Sequence, residues 1–360
     1  MSRVFIIAEA GVNHNGSLER AKKMIDAACG MGADAVKFQT FKSDRVVTRT
    51  AVKADYQVRS GASGKTQWEM IRALELDETA HRALVAHCKL KRIEFLSTPF
   101  DEPSVDFLKL LGVKRLKLPS GEITNPPLLL KAARTGLPII LSTGMSTLAE
   151  VEAALGALAF GYLSKSDRRA GTKAFRAAFS SKAGRAILKK KLELLHCTTE
   201  YPVPFPDMNL RAIETMKKAF GLPVGLSDHS RGYAIGIASA ALGIPILEKH
   251  FTLDKNLPGP DHAASLEPQE FKAMVEGIRA TEAAMGSGVK RPAASEIKNI
   301  PIVRKSLVAA REIRKGDLFS VENVTPKRPG DGLSPFRLWE LLGKKSDRDY
   351  CKDEAICLKR

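Results

Sequence analysis

At 360 residues the chain exceeds one ordinary hydrophobic core, so a large domain with a small companion is expected. Its 44% hydrophobic and 27% charged residues exclude a disordered or fibrous protein and suit a soluble globular enzyme. The formal charge of +17 invites a nucleic-acid reading, but +9 of it comes from ten Lys/Arg against one Asp at 162–192, which reads as a solvated helical insertion.

In chain order, the apolar run Val4 to Ala8 is cut short by Glu9, and no later stretch is long enough for a leader or membrane span. The cysteines Cys29, Cys88, Cys197, Cys351 and Cys357 are scattered and odd in number. That pattern suits reduced thiols, and a cytoplasmic location is expected. Eight β-rich runs then recur: VFIIAEAG (4–11), AVKFQTF (35–41), EFLSTPF (94–100), RLKLPSGE (115–122), PIILSTGM (138–145), LELLHCT (192–198), PVGLSDH (223–229) and ILEKHFT (246–252). Amphipathic stretches separate them, with Leu18, Ala21, Ile25 and Ala28 on one helical face and Leu84, Val85 and Cys88 on another. Strand and helix in alternation predict a parallel sheet, and eight units predict a closed (β/α)8 barrel of the TIM type. The barrel is expected over residues 1–286, a polar linker over 287–301, and a small β-rich domain over 302–360.

Every run begins apolar and ends polar, whereas a parallel strand buried on both faces should be apolar throughout. Polar residues gathered at all eight C-terminal ends predict a site on the barrel's top face. His229 and His250, ending the last two runs beside Glu248 and Asp261, can converge on one cation because adjacent strands lie roughly 4.8 Å apart. Lys37 and Lys117 are either a Schiff-base nucleophile or the cations of an anion cradle. Thr98, Ser120, Ser142 and Ser227 add hydroxyl donors for phosphate or carboxylate oxygens. Glu9, Glu122 and Glu248 offer acid–base capacity without a decision among them. Asn13 to Ser17 reads as a turn that ends in a Ser N-cap.

The segments IAEAGVNHNGS, AVKFQTFK, STPFD, KLPSGE, ILSTGMST, HCTTEYPVPFPDMNL, GLSDHSRG, ILEKHFTLD and GPDHAASLEP resemble, in this order, the N-acetylneuraminate (sialic acid) synthase family. The tail, RKSLVAAREIRKGDLFSVENVTPKRPGDG, is similar to that family's antifreeze-like (SAF) domain. The resemblance implies condensation of phosphoenolpyruvate with N-acetylmannosamine and water, releasing phosphate by C–O cleavage. It implies phosphoenolpyruvate contacts at Lys37, Thr98, Lys117, Ser120, Ser142 and Ser227, and Mn²⁺ ligation by His229 and His250. Glu9, Gln39, Tyr201 and Asp261 match sugar-contacting positions, and Glu122 matches a residue near the metal that would activate water. Arg328 matches an arginine that the small domain delivers to the partner's barrel in a domain-swapped homodimer. Three departures stand out. The basic stretch 162–192 is long, Thr199 stands where some members carry asparagine near phosphoenolpyruvate, and Asp331 replaces an asparagine. A 2,4-diacetamido-trideoxy hexose, giving a legionaminic-type acid, fits the same motifs. A nucleic-acid or anionic-surface binder leaves the polar strand ends unexplained, and neither nucleic acid nor membrane is an expected partner.

Overall fold

The structure, a computed structural model, describes residues 3–59 and 64–357. Each of the eight runs forms a strand: β1 (Phe5–Gly11), β2 (Ala35–Thr40), β3 (Glu94–Pro99), β4 (Leu116–Leu118), β5 (Ile139–Ser142), β6 (Leu192–Cys197), β7 (Val224–Asp228) and β8 (Ile246–His250). The ladders that join them are parallel, in the order β3-β2-β1-β8-β7-β6-β5-β4. With β3 beside β4, the sheet closes into a barrel.

Period-two alternation along each strand then decides what faces where. Ile6, Ala8, Val36 and Phe38 point outward and pack against helices such as Leu18–Gly30, which contributes Ala21, Met24, Ile25 and Ala28. Ser17 caps that helix by accepting from the Arg20 amide at 3.2 Å. The inward set forms an apolar layer of Ile7, Ala35, Leu96, Ile140, Leu195 and Ile246. Two residues further along those strands stand Glu9, Lys37, Thr98, Ser142, Cys197 and Glu248. The same pleat that fills the barrel with hydrocarbon therefore lays a polar floor directly above it.

The basic segment forms two helices, Thr172–Ser180 and Lys182–Lys191, between the helix Leu148–Leu163 and β6. Phe175 packs on Phe160 with ring centroids 5.5 Å apart, while nine of the ten cations are exposed. Its one acid, Asp167, pairs with Arg134 outside the segment.

The chain divides into two compact units, Met1–Gly286 and Ser287–Arg360. In the second, β9 (Ser306–Ala309) pairs antiparallel with β10 (Val324–Lys327). Leu307, Ile313, Phe319, Leu341, Tyr350 and Ile356 are among the residues of its own core. The stretch expected as a plain linker holds a one-turn helix, Ala294–Ile297, and a second, Ile300–Val303, begins within it. Among the described residues no helix is long and apolar enough to cross a membrane.

Candidate active site

The polar floor is a buried ionic lattice. Lys37 Nζ lies 2.7 Å from Glu9 Oε2 and 3.6 Å from Glu248 Oε2, and it donates to Thr98 Oγ1 at 3.0 Å. Lys117 Nζ donates to Glu248 Oε1 at 3.2 Å, and Ser227 Oγ donates to the same oxygen at 2.9 Å. Both lysines and both glutamates have side chains no more than 4% exposed. Burial works against ionising Glu248, but the two lysines and the Ser227 hydroxyl outweigh it and hold the carboxyl down at about 2. Burial wins at Glu9, lifting it to about 7 despite Lys37. Burial also disfavours both ammonium groups. Lys37, between two carboxylates, is nevertheless raised, whereas Lys117, facing Lys37, is lowered. With Glu9 partly protonated near neutral pH, two ammonium groups face little more than one carboxylate. The floor is thus suited to an anion.

Above the floor the two histidines meet, their ring centroids 5.4 Å apart. The Tyr201 ring stacks 4.1 Å from His229 and stands edge-on 5.6 Å from His250. His229 Nδ1 donates to the Thr198 carbonyl at 2.8 Å, which leaves Nε2, 3.4 Å from Ser227 Oγ, turned to the cavity side of the ring. His250 Nδ1 is 3.7 Å from Asp261 Oδ2 and has no hydrogen bond. Burial, with the charges of His229 and Lys37, keeps His250 well below its ordinary value and therefore neutral. Burial lifts Asp261 to about 6.

These donors fit a divalent cation in part. His250, neutral and with an orphaned nitrogen, is in the state a ligand requires. Burial disfavours charge on His229, but the Cys197 sulfur and the Thr198 carbonyl raise it, so a cation would have to displace a proton there. Among the described residues, however, no three His, Cys, Asp or Glu side chains converge as a metal site. The chain would supply two imidazoles, and oxygen ligands would come from water or substrate.

A cavity of about 370 Å³ joins these groups. Of the residues singled out from the sequence, Glu9, Lys37, Gln39, Thr98, Lys117, Ser120, Ser142, Thr199, Tyr201, Ser227, His229, His250 and Asp261 all line it. The ends of β4, β5 and β6 crowd together there. Ser120 Oγ accepts from the Gly144 amide at 2.9 Å, and a Cβ on Gly144 would stand 2.4 Å from Thr199 Oγ1. Four of the buried polar atoms that lack hydrogen bonds, Glu9 Oε2 (ion-paired with Lys37), Ser142 Oγ, Glu248 Oε2 and His250 Nδ1, belong to cavity-lining residues.

Two residues fall outside this set. Glu122 does not line the cavity. It is half-buried on the turn Ser120–Glu122 and accepts from Asn125 Nδ2 at 2.6 Å. Arg328 belongs to the second unit and is exposed.

Sequence reasoning missed other features. Glu248 binds both lysines, and Cys197 contributes a buried thiol 3.7 Å from His229 Nδ1. Their position two residues beyond Ile246 and Leu195 on the inward face was the available signal. On the outer side of β7 and β8, Lys249 Nζ and Asp228 Oδ2 pair at 2.9 Å with both side chains at 0% exposure. Lys249 also donates to the Ser230 carbonyl at 2.5 Å, and Asp228 Oδ1 accepts from the Ser230 amide and hydroxyl. This knot fastens the two strand ends that carry His229 and His250. Asn13, read as part of a simple turn, is buried and donates to the Phe251 carbonyl and Ser265 Oγ, tying the exit of β1 to that of β8.

Two family profiles match the chain in order, the NeuB family over residues 24–290 and the SAF domain over residues 304–356. The chain is 50% identical to N,N'-diacetyllegionaminic acid synthase of Campylobacter jejuni, over 99% of each chain. Identity to the protein of that name from Legionella pneumophila is 45%, over 95% of this chain and 90% of that one. Human N-acetylneuraminate-9-phosphate synthase is 34% identical, over 98% and 91%. The solved structure of N-acetylneuraminic acid (sialic acid) synthetase from Leptospira borgpetersenii is 34% identical, with TM-score 0.66 over 83% of this chain and 90% of that one.

Proposed function

The chain belongs to the NeuB family, and on that premise we propose that it condenses phosphoenolpyruvate with a 2,4-diacetamido-trideoxy hexose and water, giving a legionaminic-type acid and phosphate. The carrying observation is the buried floor, where Lys37 and Lys117 face a cavity lined with hydroxyls below a histidine pair. Relatives at 50% and 45% identity are both named for N,N'-diacetyllegionaminic acid. They favour this acceptor over the N-acetylmannosamine that the motifs first suggest.

In this reading Lys37, Lys117, Thr98, Ser120, Ser142 and Ser227 hold the phosphate and carboxylate of phosphoenolpyruvate. Gln39, Tyr201 and Asp261 flank the sugar, and Thr199 stands beside the phosphoenolpyruvate. Holding both reactants in attack geometry can supply about 7–11 kcal/mol of the barrier. A divalent cation such as Mn²⁺ would be held by His229 and His250 and would supply Lewis acidity. Carbon 3 of phosphoenolpyruvate attacks the aldehyde carbon, and Glu9, at about 7, delivers the proton that the new hydroxyl takes up. Water then adds at carbon 2, its protons passing to solvent and to the departing phosphate, and the C–O bond to phosphate breaks.

We further propose that Arg328 completes the sugar site of a partner subunit in a homodimer. Mixing the Arg328→Ala and Lys117→Ala chains should then restore some activity, and none should return if Arg328 acts within its own chain. The function itself is tested by phosphate release from phosphoenolpyruvate with each amino sugar in turn. Turnover with N-acetylmannosamine far above that with the diacetamido sugar would reverse the acceptor assignment.

A further inference from the structure

We propose that Lys249, Asp228 and Ser230 are positioning residues for the histidine pair, setting the separation at which His229 and His250 can share a divalent cation. The proposal rests on the synthase reading above, and within it on that shared cation. The ladder between β7 and β8 pairs Leu226 with Leu247, Ser227 with Glu248 and Asp228 with Lys249, which is its last pair. His229 and His250 are the next residues along each chain, just past the point where that ladder ends. Each is instead held from its far side. His250 is in register with Glu9 of β1, and the His229 carbonyl accepts from the Val203 amide at 3.0 Å, in the chain beyond β6. Neither of these ties joins one histidine to the other.

Side chains on the outer face of the two strands make that link. Lys249 Nζ reaches Asp228 Oδ2 at 2.9 Å and the Ser230 carbonyl at 2.5 Å, so one ammonium holds both residues that flank His229. The same ammonium belongs to the residue immediately before His250. Asp228 Oδ1 completes the bracket by accepting from the Ser230 amide at 2.8 Å and from its hydroxyl at 2.6 Å. Asp228 and Ser230 are fully buried and Lys249 is 1% exposed, so water does not compete for these bonds.

None of the three residues lines the cavity. Alternation along the strands turns Asp228 and Lys249 outward where His229 and His250 turn inward. The knot therefore acts on a ligand only through the backbone it fixes. A contribution to folding alone is a weak account of it, because a buried ion pair adds little net stability over packed apolar residues of similar volume. Ligand distances, by contrast, tolerate only about 0.2 Å, so a brace between the two strand ends bears directly on metal affinity.

The test uses the paired variant Asp228→Asn with Lys249→Met. It strands no charge, and the amide oxygen introduced at position 228 can still accept from Ser230, so the loss is the tie from β8. Calorimetric titration of the chelator-stripped proteins should show Mn²⁺ bound about tenfold or more weakly by the paired variant than by the unaltered chain. KM for phosphoenolpyruvate, from phosphate release at saturating Mn²⁺, should stay within about twofold, since Lys37 and Lys117 take no part in the knot. Ser230→Gly keeps the ion pair and with it the fold, while it deletes the hydroxyl contact and loosens the backbone after His229. It should lose Mn²⁺ affinity by about threefold or more. Ile25→Val, which trims the main core, is the control and should lower the denaturant midpoint without altering Mn²⁺ affinity. Unchanged affinity in either knot variant, once folded, overturns the proposal and leaves the synthase reading intact. An equal loss of affinity in Ile25→Val overturns it too, because the knot would then matter only for stability. Phosphate release by an unaltered chain that binds no Mn²⁺ likewise removes the proposal but not the condensation. Neither Mn²⁺ binding nor release with any amino sugar overturns both readings together.

Discussion

The floor of the barrel and the segment 162–192 both crowd cations into a small space, and they do so in opposite ways. In the floor, Lys37 and Lys117 are buried and each touches a carboxylate. In the segment, ten cations accompany one acid and nine of the ten lie open to water. Water and salt screen the second set, so its charge costs little to hold and dictates little. The first set is removed from water and must be matched atom by atom, so its geometry is fixed before any ligand enters. Net charge alone would have ranked the two regions the wrong way round as guides to function.

The largest effect that sharpens this contrast is expected from Lys117→Met. It leaves the buried Glu248 carboxylate with Ser227 and a more distant Lys37. Loss of one partner of a buried pair should lower stability by about 3–5 kcal/mol. Turnover should fall by about a hundredfold or more, as when one positioned charge donor is removed. Denaturant unfolding and phosphate release report the two separately, and a stable, fully active variant would erase the distinction between floor and surface.

Next in size is the histidine pair. Calorimetric titration of the chelator-stripped protein should show Mn²⁺ binding at one class of site, weakened at least tenfold by His250→Ala. Activity should vanish on stripping and return with the metal. A stripped protein that keeps its activity would remove the metal from the mechanism.

A smaller effect concerns pH. Burial raises Glu9 to about 7, so its carboxyl holds a proton below that value and loses it above. If Glu9 delivers a proton, turnover at saturating substrate should decline as pH rises through about 7. Glu9→Gln should be slow at every pH and lack that limb. A limb that survives in the variant belongs to another group.

The smallest effect is expected at the basic segment. None of the residues lining the cavity comes from 162–192. Replacing the two helices with a short Gly/Ser bridge should leave kinetic constants within a few-fold, and Lys189→Ala should change stability by no more than about 0.5 kcal/mol. A well-folded bridged protein with a large loss of turnover would give the segment a part in catalysis.

Much of this was legible before the fold was seen, for a specific reason. A barrel strand repeats every second residue, so the apolar start and polar end of a run such as ILEKHFT already separate Ile246 in the packed layer from Glu248 in the floor. What such patterns cannot convey is which strands face each other across the barrel. The bond from Lys117 to Glu248 spans 131 residues, and nothing local to either position announces it. The lining contributed between β2 and the helix Glu78–Lys91 was hidden differently. Phe41, Met70 and Leu74 look like ordinary core residues, and only the fold reveals that they border a cavity. Glu122 looked equivalent to the other strand-end acids, but the turn it occupies directs it to Asn125.

The pair between Lys249 and Asp228 bears on how such a chain can change over generations. With both side chains at 0% exposure, losing either partner alone strands a charge in the interior, at about 3–5 kcal/mol. That is a large part of the 5–15 kcal/mol that holds a typical domain folded. Exchanging both at once for well-packed apolar residues can be neutral or better. Two viable sequences therefore lie on either side of a valley that single substitutions do not cross. Descendants should keep both residues or neither, whatever sugar their cavity has come to accept.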